Sequence, residues 1–355
     1  MSNVYGVKIK VMIFGQSHSP AVGVTIEGVP SGFVIDFNEL NSFLRRRAPG
    51  LNEYSTARTE PDEPEFVSGL FNKITCGAPI TAIIKNKDAN PKDYDAIKDT
   101  PRPSHADYAA YMKYGESRDF RGGGQFTGRL TAPLCVAGGI FLQLLREKGI
   151  KIAAHALRIG NIFDRPFEND FEKDFEILNN AEFPTLDACA GNKMTDAINE
   201  IKKAGDSLGG VVECAVIGLP PGIGEPMFGG MENKMSAAVF AIPAVKGIEF
   251  GNGFACSGLT GSENNDAFVI TDGKIKTSTN NHGGILGGLT SGMPLIFRAA
   301  IKPTPSIPRE QKTVNLKLME ETRILITGRY DPCIVPRAVP CVEAAAAIAV
   351  YDALS

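Results

Sequence analysis

The segment from Thr131 to Lys148 restricts the possible folds of this sequence more than any other part of it. It reads TAPLCVAGGIFLQLLREK, a largely apolar stretch whose composition predicts a buried helix. Other elements must cover such a helix, because its apolar surface has to be removed from water. The chain has 355 residues, of which 43% are hydrophobic, and it can therefore bury a core of this kind.

The strands and helices predicted around this segment do not alternate regularly. The predicted strands cover Val7 to Phe14, Val22 to Ile26, Pro79 to Asn86, Val211 to Leu219 and Pro294 to Ile301. The other predicted helices run from Asp36 to Arg47, from Asn192 to Ala204 and from Val342 to Leu354. A parallel sheet needs regular alternation, so this order favours a mixed α+β fold. No linker divides the chain, so residues 1–355 are predicted to form one domain, with Glu168 to Lys193 as a variable connection.

Charge and composition exclude several classes of function. The formal net charge of −3 leaves no excess of basic residues for a nucleic-acid backbone, so no nucleic-acid partner is expected. The start of the sequence lacks a secretory signal, and no apolar run reaches the ~20 residues of a membrane span, so a cytoplasmic protein is expected. The seven cysteines are scattered and never form a C-x-x-C pair, which predicts reduced thiols and no metal site.

Two of the four histidines lie in segments that could carry chemistry. His18 is in the turn FGQSHSP, where small residues at the end of a strand would leave an imidazole accessible as a proton donor. His105 is in RPSHADY, with Arg102 and Asp107 close enough in sequence to orient or tune it. Each histidine taken alone would more often be structural than catalytic.

Arginines accompany three further segments. Arg118, Arg121 and Arg129 surround the run Gly122–Gly124, which could bind an anion or form a surface turn. This run matches neither the dinucleotide nor the P-loop glycine spacing. Near the C-terminus, Asp331 lies between Arg329 and Arg337 and could belong to a site or to a structural ion-pair network. The triplet at 45–47 ends a predicted helix, where C-terminal capping alone would explain it.

Taken in order from Phe14 to the C-terminus, these segments resemble the chorismate synthase family. The matching blocks include FGQSHSPAVGVTIEGVPSG, RRRAPG, RTEPDEPEFVSGLF, KDYDAIKDTPRPSHADYAAYMKYGESRDFRGGG, GSENND and GRYDPCIVPRAVPCVEA. Residues 159–204 carry no recognisable family signal. The number of blocks in the correct order makes a chance match implausible.

The resemblance implies a fold and a reaction. The fold would be a β-α-β sandwich with antiparallel sheets around internal helices, assembled as a homotetramer. The reaction would be the 1,4-anti elimination of phosphate from 5-enolpyruvylshikimate-3-phosphate to give chorismate, a lyase step of the shikimate pathway to aromatic amino acids. The cofactor would be reduced FMN (FMNH2), although no net redox change occurs. The family is also associated with NADP, but no nicotinamide fingerprint is present, so an external flavin reductase is expected.

The resemblance also implies roles for individual residues. His18 would protonate the leaving phosphate, His105 would lie near the reduced flavin ring, and Asp331 would assist proton transfer at the flavin. The residues implied in substrate binding are Arg46, Arg47 and Arg337. The residues that match flavin-lining stretches are Gln125, Phe126, Thr127, Ala244, Gly287, Lys302, Pro303, Thr304, Pro305, Ser306 and Arg329.

The sequence departs from the family pattern at positions close to these residues. The differing residues are Gln16, Ser19, Glu53, Gln125, Phe126, Leu134 and Tyr330. Losing guanidinium groups from a phosphate site would remove charge compensation, which Lys113, Arg118 or Arg129 could restore. Two alternatives therefore stay open beside chorismate synthesis. One is a homologue with altered substrate specificity, and the other is a flavin- or anion-binding oligomer with impaired catalysis.

Overall fold

The computed structural model describes residues 3–50, 60–87, 98–168, 170–326 and 330–355. The strands within these ranges are β1 (Val4–Tyr5), β2 (Lys10–Gly15), β3 (Ala21–Glu27), β4 (Glu65–Ser68), β5 (Leu70–Phe71), β6 (Ile74–Thr75), β7 (Ile80–Lys85), β8 (Lys151–Ile159), β9 (Ile162–Phe163), β10 (Gly210–Ile217), β11 (Val245–Phe250), β12 (Phe268–Thr271), β13 (Lys274–Thr277), β14 (Ile285–Leu286), β15 (Leu289–Thr290), β16 (Leu295–Ile301), β17 (Glu310–Asn315) and β18 (Glu320–Leu325). The helices are α1 (Phe37–Arg47), α2 (Asp107–Tyr114), α3 (Thr131–Glu147), α4 (Phe171–Asn180), α5 (Ala188–Lys203), α6 (Met231–Val239), α7 (Gly261–Asn264) and α8 (Val335–Leu354).

Two five-stranded antiparallel sheets enclose a layer of helices. The first sheet has the strand order β1-β2-β3-β7-β4, and the second has the order β11-β16-β10-β8-β9. Helix α3 packs on β3 and β7 of the first sheet, α8 packs on β8 and β10 of the second, and the two helices pack on each other. The predicted α+β fold with antiparallel sheets around internal helices is therefore confirmed.

The predicted helix from Thr131 is the inner element that its composition requires. It ends at Glu147, and its residues from Ala132 to Phe141 are all buried. Among the described residues, Arg121–Glu147 is the one helical stretch with the length and hydropathy of a membrane span. However, 83% of the apolar 18-residue window within it is buried inside the fold. Packing in the protein core therefore accounts for its apolar composition.

Helices α3 and α8 approach each other almost to backbone contact. A Cβ atom built on Gly138 would lie 2.2 Å from Cβ and 2.3 Å from Cα of Ala344. Atoms cannot approach so closely, so this crossing requires glycine on α3. The small residues Ala344 to Ala347, all buried, allow the same approach on α8. The two helices are thus fixed against each other by shape.

The predicted elements differ from the structure most in three places. Helix α8 begins at Val335 rather than Val342, because Pro336 lies in the first turn, where no backbone N–H is needed, and Pro340 is accommodated inside the helix. The predicted variable connection contains helix α4, whose N-terminus is capped by Asp170 through the backbone N–H of Lys173. Helix α5 begins at Ala188 instead of Asn192.

A buried histidine ties the outer part of the second sheet together. His155 on β8 is 0% exposed, with Nδ1 2.8 Å from Asp164 and Nε2 3.1 Å from Glu213 on β10. Glu213 also accepts a 2.9 Å hydrogen bond from Nε of Arg298 on β16, and Asp164 accepts one of 2.6 Å from the backbone of Leu186. Burial would lower the pKa of His155, but its two carboxylate partners raise that pKa above the ordinary value. Both ring nitrogens donate, so His155 is an imidazolium.

We predict that His155→Gln lowers the free energy of unfolding by about 3 kcal/mol at about pH 6, because two buried carboxylates lose their cationic partner. Since the pKa of His155 is raised in the folded state, its contribution is complete below the unfolded value of 6.5. The contribution is lost as the pH rises through the folded pKa. The stability difference between wild type and variant should therefore narrow toward about pH 9 in urea titrations. A difference that stays constant over this range would contradict the imidazolium assignment.

Candidate active site

The run Gly122–Gly124 holds two histidines that are far apart in sequence. A Cβ atom on Gly122 would lie 2.7 Å from Nδ1 and Cε1 of His18, and one on Gly123 would lie 2.8 Å from Cε1 of His105. Both glycines have positive φ angles, of 59° and 84°. Glycine is therefore required here by conformation and by space. The run is a packed support on which adjacent residues contact the two candidate imidazoles.

The turn that carries His18 is fixed by hydrogen bonds on both sides. The backbone N–H of Ser17 donates to the carbonyl oxygen of Gly124 at 3.0 Å. Asn86, just after β7, donates from Nδ2 to the carbonyl oxygens of Ser19 at 2.8 Å and of Gln16 at 3.2 Å. The position of this imidazole therefore depends on the glycine run and on the first sheet.

A carboxylate lies close to His18. Asp119 accepts hydrogen bonds from Nε of Arg121 at 2.8 Å and from Nη2 at 3.0 Å. Partial burial raises the pKa of Asp119, but the bonds from Arg121 and the nearby His18 bring it below the usual value. Asp119 therefore stays ionised and places negative charge beside the histidine.

Arg47 and Arg129 are buried together and share one carboxylate, and we call this group the arginine cluster. Arg47, 2% exposed, has Nε 3.2 Å from Asp62, and Nη1 of Arg129 contacts the other oxygen of the same carboxylate. Arg129 also donates from Nε to Asn86 at 2.9 Å, and its Nη2 lies 3.8 Å from Glu60. Asn86 thus links the arginine cluster to the turn that carries His18.

The arginine cluster has hydrogen-bond donors to spare. Nη1 of Arg47 and Nη2 of Arg129 are buried and make no hydrogen bond within the described part of the chain. Burial lowers the pKa of Arg129, and Asp62 only partly offsets this effect. Burial also acts to lower the pKa of Arg47, but the charge of Asp62 together with smaller contributions from Cys341, Cys135 and Asp331 raises that pKa overall. Two buried cations with unused N–H groups are suited to an anionic ligand.

Asp331 and Arg337 join this cluster from the start of α8. Nη1 of Arg337 lies 2.6 Å from Oδ2 of Asp331, and Nε of Arg337 donates to the carbonyl oxygen of Arg47 at 2.9 Å. The charge of Asp331 also contributes to the raised pKa of Arg47. Three candidates from the two ends of the sequence therefore meet at one place.

The loop that carries His105 contacts the predicted flavin segment at 302–306. Nη1 of Arg102 donates to Oγ of Ser306 at 3.3 Å, and Nζ of Lys302 donates to the carbonyl oxygen of Ser104. The backbone N–H of Lys302 donates to Ala244 at 3.0 Å, which brings a second predicted flavin position to the same place. Thr304 contributes a buried Oγ1 that makes no hydrogen bond in the described residues. These contacts connect both histidines with the arginines and the flavin segment.

Other candidates lie apart from these contacts. Arg46 forms a two-point ion pair with Glu343, with distances of 2.7 and 2.8 Å, instead of facing Arg47. Gly287 is in the exposed turn between β14 and β15. Arg329, like Glu53, lies outside the described residues. Residues 125–127 directly follow the glycine run, and Oγ1 of Thr127 accepts the backbone N–H of Arg129 at 3.2 Å.

Two of the three suggested replacement cations are engaged elsewhere. Arg118 donates to the carbonyl oxygens of Gly115 and Lys98. Nζ of Lys113 lies 5.7 Å from the ring centre of Tyr114. Arg129 alone among the three lies beside Arg47.

Sequence reasoning missed Asp62 and Asn86. Both residues are in or next to matched segments, but their partners, Arg47 and Arg129, lie 15 to 67 residues away. Local spacing gives no signal for contacts of that range. The signal that could have found Asp62 is chemical, because buried arginines require carboxylate partners.

We predict that Asp62→Asn lowers the free energy of unfolding by about 3 kcal/mol, since two buried guanidinium groups lose their shared counter-charge. Inorganic phosphate should then raise the thermal midpoint of the variant more than that of the wild type, because it replaces the missing negative charge. Asp174→Asn on α4, which breaks a two-point pair with Arg165, is the matched control and should not gain sensitivity to phosphate. Equal phosphate responses in all three proteins would argue against an anion site here.

Comparison with known proteins identifies the family. The family model described as chorismate synthase matches residues 9–355. A chorismate synthase from Lancefieldella parvula is 48% identical, with 100% of this chain and 96% of the relative covered. One from Thermococcus kodakarensis is 45% identical, with coverage of 98% and 96%. A crystal structure of chorismate synthase matches with a TM-score of 0.74 at 27% identity, covering 98% of this chain and 92% of the other. The chain therefore belongs to the chorismate synthase family of lyases.

Proposed function

We propose that this protein converts 5-enolpyruvylshikimate-3-phosphate to chorismate by 1,4-anti elimination of phosphate with reduced FMN. The reaction would be a step of the shikimate pathway in the cytoplasm, carried out by one domain over residues 1–355. The observation that carries this proposal is the contact of His18 and His105 with adjacent glycines, with Asn86 linking the His18 turn to the arginine cluster. An acid–base pair and an anion site are thereby joined in one place.

The arginine cluster is suited to a substrate with one phosphate and two carboxylates. Each charge-assisted hydrogen bond from an arginine contributes about 1.5–3 kcal/mol. Arg47 and Arg337 are proposed to bind the substrate. Arg129 is proposed to replace the guanidinium groups that the family pattern has at the positions of Glu53 and Leu134. Arg46 is proposed to contribute through the N–H groups that its pair with Glu343 does not use.

The proton-handling residues surround this anion site. His18 is proposed to donate a proton to the departing phosphate, because the turn that carries it is bonded to Asn86, the same residue that binds Arg129. Asp331 is ion-paired with Arg337 and is proposed to assist proton transfer at the flavin. His105, which lies against Gly123, is proposed to contact the flavin. The elimination breaks one C–H bond and one C–O bond of the substrate, and the proton that the ring loses balances the proton that His18 gives to the departing phosphate, so no external acid is needed.

The residues around Lys302 fit a bound flavin. Thr304 offers a buried hydroxyl without a partner in the described chain, and Lys302 offers a cation whose pKa is lowered by burial and by Lys246. The residues proposed to hold reduced FMN are Gln125, Phe126, Thr127, Ala244, Gly287, Lys302, Pro303, Thr304, Pro305, Ser306 and Arg329. When bound, reduced FMN supplies the electron density that this redox-neutral elimination needs. An external reductase is proposed to deliver it.

We predict that the purified protein, incubated anaerobically with reduced FMN and 5-enolpyruvylshikimate-3-phosphate, releases chorismate and phosphate in equal amounts. His18→Ala and Asp331→Ala should each slow turnover by about 100-fold, while flavin affinity changes much less. Asp196→Ala, at an exposed position on α5, is the control and should keep the wild-type rate. Flavin binding without turnover would favour altered specificity, and absence of flavin binding would favour a binding protein.

We propose a homotetramer from the resemblance to the chorismate synthase family, and the large apolar side chains exposed on the segment 227–275 support contact between subunits. Exposed apolar residues in such number on one segment are typical of a protein interface. The most exposed of them are Met227, Phe228, Phe254, Phe268, Ile270 and Ile275. A second copy of the chain is the proposed occupant of this surface.

We predict that Phe254→Glu reduces the particle mass measured by light scattering, because a charged side chain would have to be buried between subunits. Phe254 is 85% exposed in the single chain. Phe71→Glu is the matched control, since Phe71 is 71% exposed on strand β5, outside the segment 227–275. An unchanged mass for Phe254→Glu, or a monomeric wild type, would contradict the proposed assembly at this surface.

A further inference from the structure

Asp107 collects four hydrogen-bond donors on its two carboxylate oxygens. Oδ1 lies 2.6 Å from Nδ1 of His105 and accepts from Nη2 of Arg102 at 2.9 Å. Oδ2 accepts from Nε of Arg102 at 2.7 Å and from its backbone N–H at 3.0 Å. The three hydrogen bonds from Arg102 fix the orientation of the carboxylate that faces the imidazole.

The carboxylate of Asp107 stays charged in this environment. Partial burial raises the pKa of Asp107, but the hydrogen bonds from Arg102 and His105 hold it well below the usual range. A carboxylate can only accept hydrogen bonds, so the nitrogen of His105 that faces it must carry a proton. Nδ1 is therefore the protonated nitrogen whenever the ring is neutral.

The second nitrogen of His105 points toward the glycine run. A Cβ atom on Gly123 would lie 3.0 Å from Nε2 of His105. Arg102, which holds Asp107, also donates to Ser306 in the proposed flavin segment. The same guanidinium group therefore sets the imidazole orientation and contacts the segment that the imidazole is proposed to serve.

We propose that Asp107 is the positioning residue of His105, and that it fixes the Nδ1–H tautomer and leaves Nε2 for the chemistry beside the glycine run. This inference rests on the proposed function of His105. Arg102 holds Asp107 and also contacts the ring directly, with Nη2 3.1 Å from Nδ1 and 3.3 Å from Nε2 of His105. Neither residue needs to contact the substrate for this effect.

The first test measures the tautomer and needs no turnover. The flavin-free protein labelled with ¹⁵N-histidine should show, at about pH 8, two-bond couplings of the Nδ1–H form for the signal that disappears in His105→Asn. In Asp107→Asn the amide cannot accept four hydrogen bonds, so an NH₂ group faces either Arg102 or His105. We expect Arg102 to keep the oxygen and His105 to change to the Nε2–H form. Asp107→Glu, which retains a carboxylate, should keep the wild-type tautomer.

The second test measures catalysis. Asp107→Asn should lower kcat by about 100-fold and change KM by less than about 3-fold, because a mis-set acid–base group affects the chemical step. Asp174→Asn, which also breaks a two-point aspartate–arginine pair, controls for general loss of packing and should keep kcat. An equal loss of kcat in this control would overturn the positioning role.

The two tests separate the possible failures. A wild-type His105 in the Nε2–H form, or an unchanged tautomer in Asp107→Asn, would overturn the positioning role whatever the activity. A changed tautomer with wild-type kcat would overturn the catalytic role of His105 and leave the contact with Asp107 intact. The wild-type measurement decides the first point even if a variant fails to fold.

Discussion

The burial of two like charges around Asp62 is the constraint on which the rest of the site depends. Isolated guanidinium groups are costly to remove from water, so Arg47 and Arg129 can be buried together only if carboxylates surround them. Asp62 supplies that charge to both, and Asp331, through Arg337, adds negative charge from the other end of the chain. The N–H groups of Arg47 and Arg129 that make no hydrogen bond in the described residues are the donors that we propose for an anionic ligand.

The glycine run solves the second problem, which is to bring two imidazoles to one place. Any side chain at Gly122 or Gly123 would push away the histidine that it contacts. The run also accepts the backbone bond from Ser17, so the first sheet and the loop before α2 share a single support. The glycines thus set the distance between the two imidazoles, because each histidine occupies the space that a side chain at Gly122 or Gly123 would need.

The sequence was informative where a local pattern has one physical meaning. The composition of Thr131 to Lys148 predicted the inner helix correctly, and turn residues around two histidines selected candidates that lie on adjacent glycines. The start of α8 was misplaced because Pro336 and Pro340 suggested a break, although proline is acceptable in a first turn and tolerable beyond it when packing compensates. Asp62 and Asn86 were missed because their partners are distant in sequence, and only the fold brings them together.

The near contact of Gly138 with Ala344 has a consequence for the site more than a helix turn away. Helix α3 starts two residues after Arg129, and α8 starts four residues after Asp331, so each helix carries one side of the arginine cluster at its N-terminal end. Backbones that touch cannot slide along each other without steric overlap. The crossing therefore sets the separation between the two sides of the cluster. A methyl group added at Gly138 would shift the two helices and so displace the charged side chains at their N-terminal ends, in addition to disturbing the packing of the core.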